Sequence, residues 1–83
     1  MHTNVKLFAI LRERAGTGQI ALSLPERATV ADALRQLQER YPGLLLDVAS
    51  TMIAVNMEYV AEDHPLKDGD EVALIPPVSG GNK

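Results

Sequence analysis

The stretch Thr29–Tyr41, TVADALRQLQERY, carries the strongest helical pattern in this 83-residue sequence. Val30, Ala33, Leu34, Leu37 and Tyr41 recur at intervals of three and four, which puts them on one stripe of a helix. Arg35, Gln36, Glu39 and Arg40 make the polar side. Thr29 is placed to cap the N-terminus, and Asp32 three residues on sits in capping-box position, where its charge favours the helix dipole. Pro42-Gly43 ends the pattern. One amphipathic helix can cover only one face of a sheet, so its neighbours decide the architecture.

Those neighbours read as strands. Val5–Leu11, VKLFAIL, is a nearly continuous apolar run and reads as a strand apolar on both faces. RERAGTG follows as a short helical turn closing on Gly16 and Gly18. In Gln19–Leu24, QIALSL, the apolar Ile20, Leu22 and Leu24 alternate with Gln19, Ala21 and Ser23, the pattern of a half-buried strand paired with the first. Beyond the helix, GLLLDVASTM is compatible with a loop, a helical turn or the start of a strand. Ile53–Asn56 reads as a short strand, with EYV pairing back on it across a turn near Met57. His64-Pro65 and Asp68-Gly69 are turn signals, and EVALI, Glu71–Ile75, is the last strand. The order strand, strand, helix and then two or three short strands specifies a two-layer α+β domain with one sheet face open. If Val5, Leu7, Val72 and Leu74 face the helix, then Phe8 and Ile75 point away from it, which exposes the sole phenylalanine.

Composition removes several kinds of function. The chain has no cysteine, which excludes disulfides, thiolate nucleophiles and cysteine-ligated metal centres. A net charge of -3 and scattered arginines (Arg12, Arg14, Arg35, Arg40) argue against nucleic acid as the main partner. No apolar run reaches the roughly 18 residues that cross a bilayer, and the beginning does not read as a signal peptide, so a cytoplasmic location is expected. Asp68, Asp70 and Glu71 in KDGDE read as an ordinary turn rather than a calcium loop. His64 reads as a turn histidine without a nucleophile to serve. No metal site and no bound cofactor are expected.

The C-terminal IPPVSGGNK, Ile75–Lys83, has another logic. Pro76 and Pro77 lack N–H donors, so they end a sheet ladder and send the chain outward. Val78, Ser79, Gly80 and Gly81 would extend about 13–14 Å beyond Pro77, and two glycines without β-carbons could pass through a narrow channel. The expected division is a domain over 1–77 and a flexible tail over 78–83.

Val55–Gly81, VNMEYVAEDHPLKDGDEVALIPPVSGG, resembles the small, sulfur-carrying subunit of molybdopterin synthase, and VKLFAILRERAG and TVADALRQL upstream match as well. The resemblance covers nearly the whole domain. It implies a β-grasp, ubiquitin-like fold: a mixed sheet with one main amphipathic helix packed on one face. It implies that an E1-like adenylyltransferase uses ATP to adenylate the Gly81 carboxylate, and that a sulfurtransferase or cysteine desulfurase supplies sulfur for a thiocarboxylate. The tail would then enter the large catalytic subunit, within a heterotetramer, and pass its sulfur to cyclic pyranopterin monophosphate to build molybdopterin. By match of position, Phe8, Tyr59 and Ile75 would form the docking patch, with Tyr59 and Ile75 differing in shape from the side chains expected there. The chain would be a non-catalytic sulfur donor in that complex. Asn82 and Lys83 depart from the pattern, because Gly81 inside an amide has no free carboxylate. Either a protease removes them before activation, or they are foreign to the native chain, or the chain as written is not a carrier; the first two are the favoured readings. Two related readings share the fold and tail: a carrier for thiamine or tRNA thiolation, and a ubiquitin-like modifier joined to proteins through Gly81. A plain interaction domain with an idle tail is a weaker third.

Overall fold

The computed structural model describes residues 1–77; the expected tail residues Val78, Ser79, Gly80 and Gly81, and Asn82 and Lys83 after them, lie outside the described residues. The elements run β1 (His2–Leu7), α1 (Ala9–Ala15), β2 (Gln19–Ser23), α2 (Val30–Arg40), β3 (Met52–Val55), β4 (Glu58–Tyr59) and β5 (Glu71–Ile75), with 3₁₀ turns at Pro42–Leu44 and Val48–Ser50. The sheet order is β2-β1-β5-β3-β4. β1 and β5 pair in parallel, and every other neighbouring pair is antiparallel. This is the mixed sheet of the expected α+β class, with α2 the main helix packed on it.

Helix α2 starts as the sequence predicts. Thr29 is extended (φ −105°, ψ 175°), and the Asp32 carboxylate accepts both the Thr29 N–H at 2.8 Å and the Thr29 hydroxyl at 3.2 Å. Arg35 donates to the other Asp32 oxygen at 2.6 Å. The bond from the Thr29 backbone, then that from Arg35, holds the Asp32 carboxyl below its ordinary pKa. Val30, Ala33, Leu34 and Leu37 are buried on the inward stripe, and the helix stops one residue short of the one that precedes Pro42, a position disfavoured for helix. Arg40 and Gln36 reach out from the polar side and donate to the Ala21 and Ser23 carbonyls at 3.1 and 3.2 Å. Main-chain acceptors on the outer strand β2 are thus bonded within the chain, which blunts it as a template for another chain.

The core lies between α2 and one sheet face. Register sets Val5 beside Val72 and Leu7 beside Leu74, and all four are buried, joined by Ile20, Leu22, Ile53 and Val55. Leu44 closes one end at 0% exposure. Two expectations require correction. The apolar run Val5–Leu11 is not one strand, because pairing ends at Leu7. Phe8 is extended and caps α1, and Ala9 turns with φ 52°, which swings the chain off the sheet. The helical turn placed at RERAGTG is correspondingly a seven-residue helix that begins inside the apolar run and ends on Gly16 at φ 77°. An unbroken apolar run carries no period, so it cannot separate a strand from a helix with one buried contact; here that contact is Leu11, 2% exposed. The stretch left open after α2 resolves into the two 3₁₀ turns and the first residue of β3.

Candidate functional site: the open sheet face and the root of the tail

β5 is the middle strand, and Pro76–Pro77 leave directly from its end. Whatever follows Pro77 therefore starts from the best-supported strand of the sheet. Beside this exit, on the face away from α2, Phe8, Tyr59 and Ile75 line one concavity of about 360 Å³. Ala54 and Ala73, paired across β3 and β5, also line it. Lys6 and Glu71 contribute an ion pair of 3.3 Å. The three residues proposed as a patch come from β1's end, β4 and β5, and the topology brings them together. Phe8 is 44% and Tyr59 67% exposed, while Ile75 is half-buried.

Met57 lines the same concavity and was missed by the sequence reading, which placed only a turn there. It is 92% exposed at the tip of the β3–β4 hairpin. Asn56 and Met57 both have positive φ (50° and 73°), the geometry that favours Asn-Gly in two-residue hairpins. Asn56 is anchored: its side chain donates to Asp70 at 2.8 Å and accepts the Glu71 N–H at 3.1 Å. A bulky side chain where glycine is preferred was the available signal. Met52, half-exposed and paired with Ile75, was hidden in the stretch left open.

A second, larger groove of about 610 Å³ adjoins the first through Phe8 and Ile75 and runs along Ile10, Arg14, Pro76 and Pro77. Neither concavity contains a histidine, and their charged residues are Lys6, Glu71 and Arg14. The arrangement suits apolar protein contact rather than acid–base chemistry. The acidic turn after Leu66 is a structural clasp. Asp68 accepts the His2 N–H at 2.7 Å, Asp70 accepts the Lys67 N–H at 2.8 Å, and Gly69, with φ 88°, donates to the His2 carbonyl at 2.7 Å. His64 is likewise built into the backbone, its N–H donating to Ala61 and its carbonyl accepting from Val30. Among the described residues, no group of three His, Cys, Asp or Glu side chains could hold a metal ion, and no helix is long and apolar enough to cross a membrane.

Residues 5–81 match the ThiS family. This chain belongs to that family. As a ThiS-family chain, it is 41% identical over 83 residues to a molybdopterin synthase sulfur carrier subunit of Chlamydomonas reinhardtii, covering 98% of this chain and 100% of that one. Among solved structures, SAMP1 from Haloferax volcanii, a small archaeal modifier protein, superposes with a TM-score of 0.90 at 36% identity, covering 98% of this ThiS-family chain and all of the other. A protein–protein complex of subunits 1 and 2 of molybdopterin-converting factor from Helicobacter pylori contains a chain with TM-score 0.68 and 27% identity, with 98% and 100% covered. The fold is therefore the ubiquitin-like β-grasp that the sequence resemblance implied.

Proposed function

We propose that this ThiS-family chain is the sulfur-carrier subunit of a molybdopterin synthase. The observation that carries the reading is positional: Phe8, Tyr59 and Ile75 line one concavity on the open face, and Ile75 is the last residue before the chain leaves the central strand through two prolines. The family match running through Gly81, together with the name borne by its relatives, supports it. In this reading the domain docks by its open face on a large catalytic subunit, and the residues after Pro77 deliver the reactive end.

The chemistry requires a terminal carboxylate at Gly81. A carboxylate is a poor acyl donor until one oxygen becomes a leaving group. Attack on the α-phosphorus of ATP, catalysed by an E1-like adenylyltransferase, releases pyrophosphate and makes AMP that group. The terminal sulfur of a sulfurtransferase persulfide then attacks the acyl carbon and displaces AMP. A second thiol cleaves the S–S bond of the resulting acyl disulfide, leaving the thiocarboxylate and a disulfide. Docking holds this sulfur nucleophile at high effective concentration beside cyclic pyranopterin monophosphate. The protein itself uses no bound cofactor in this scheme; ATP belongs to the activating enzyme.

Intact mass tests the reading. The chain ending at Gly81, given activating enzyme, ATP and a sulfur source, is expected to exchange one oxygen for sulfur, while the chain retaining Asn82 and Lys83 stays unchanged. Exchange on the untrimmed chain would overturn the requirement for a free Gly81. A second reading, a protein modifier joined through Gly81, is favoured by the close superposition on the archaeal modifier. Covalent ladders that disappear on loss of Gly81 distinguish it.

A further inference from the structure

Leu45 occupies a position that the fold would fill better with another residue. It stands between Leu44 and Leu46, both buried, yet is itself 70% exposed with a left-handed backbone (φ 50°, ψ 48°). That conformation is unfavourable for residues with a β-carbon, and an exposed leucine recovers little by burial. Arg14 of α1 donates to the Leu44 and Leu45 carbonyls at 3.3 and 3.4 Å, so the corner is held from across the groove. The side chain it throws outward lines a concavity of about 190 Å³ with Ile10, Arg14, Pro76 and Pro77. Ile10 is also exposed, at 42%. Ile10, Arg14, Pro76 and Pro77 belong equally to the groove that contains Phe8 and Ile75. Adjoining concavities thus run from the open sheet face past the root of the tail to Leu45, with Ile10, Pro76 and Pro77 as their shared apolar wall and Asp47, Ser50 and Thr51 also lining Leu45's own concavity.

The reach from Pro77 to Gly81 explains why that continuity matters. Four residues span at most about 14 Å, so for Gly81 to enter a catalytic pocket the pocket's rim must come down close around Pro77. A patch on the sheet face alone meets only part of such a rim. We infer that Leu45 and Ile10 form a second lip, contacted by the pocket rim of the large synthase subunit on the α1 side of the tail's root. The inference rests on the docking reading above and adds a contact that reading does not include. Strain combined with exposure is the form expected of a side chain retained for contact rather than for folding.

The test uses the chain through Gly81, titrated with the large synthase subunit of the same organism. Leu45→Asn keeps a residue that tolerates the left-handed backbone while removing the apolar surface. It is expected to unfold no more easily than the parent and to bind roughly tenfold weaker or worse, with Leu45→Met restoring affinity and Phe8→Ala weakening it independently. If Phe8→Ala weakens binding and Leu45→Asn does not, the second lip is wrong and the docking patch stands. If neither variant changes affinity, the docking reading falls and takes the inference with it. In the free chain, Leu45→Asn should leave both the oligomeric state and the amide resonances of residues 78–81 unmoved. A change in either would identify a second copy or the chain's own tail as the occupant and overturn the proposal.

Discussion

Thr3 shows how one residue departs from the pattern around it. It lies on β1 at 3% exposure, in phase with Val5 and Leu7 along the strand, and its hydroxyl finds no hydrogen-bond partner in the described structure. Burying a hydroxyl without a partner costs free energy that an apolar group of the same shape would not. Thr3→Val is therefore expected to stabilise the domain by about 1 kcal/mol, raising the thermal midpoint by roughly 4–8 °C for a domain of this size. Calorimetric melting checks this, and a lower midpoint would mean that the hydroxyl is satisfied. At the same scale, alternation along β1 and β5 made Phe8 and Ile75 legible as residues of the open face. Met57 and Leu45 were not legible from alternation, because their exposure comes from left-handed backbone at turns rather than from a period.

Among the elements, α2 was the most readable, since stripe, cap and stop all point the same way. Its start should also respond to pH in a defined direction. The folded Asp32 carboxyl titrates below its ordinary value because the Thr29 backbone and Arg35 favour the charged form. A group whose pKa is depressed by folding contributes stability that is present above the unfolded value, about pH 3.9, and lost as pH falls through the folded one. Resolved carboxyl resonances should place the Asp32 midpoint below that of an unfolded peptide. Asp32→Asn should remove this part of the acid sensitivity; an unchanged acid limb would show that the contacts do not persist in solution. Helix α1 was misread for the opposite reason. Of its residues only Leu11 is fully buried, and its start depends on Ala9 turning the chain away from the sheet with a positive φ.

Across the whole molecule, the buried core and the proposed docking patch occupy opposite faces of one sheet. The face toward α2 holds Val5, Leu7, Val72 and Leu74, all at 3% exposure or less. The other presents Phe8, Ile75 and Tyr59 in one concavity, with Ile75 next to the exit of the chain. Stability and docking should therefore separate under mutation. Tyr59→Ala is expected to change unfolding free energy by no more than about 0.5 kcal/mol, as for an exposed site, while reducing sulfur transfer in a reconstituted synthase. A variant that transfers sulfur normally would remove Tyr59 from the patch. One that unfolds readily would mean that the open face supports the fold after all.

From residue order alone followed the α+β class, the amphipathic helix with its cap, the alternating strands and the proline exit, because each depends on local period or on the covalent limits of one residue type. The family resemblance added the β-grasp topology and nominated Tyr59. Only the tertiary structure decided that β5 lies at the centre, in parallel contact with a strand some sixty-seven residues away in register. It alone gathered Phe8, Tyr59 and Ile75 into one concavity and set Leu45 beside Ile10 and the two prolines. Long-range pairing is selected by the summed burial of the helix-facing side, a quantity that no single segment carries and that exists only once all five strands meet.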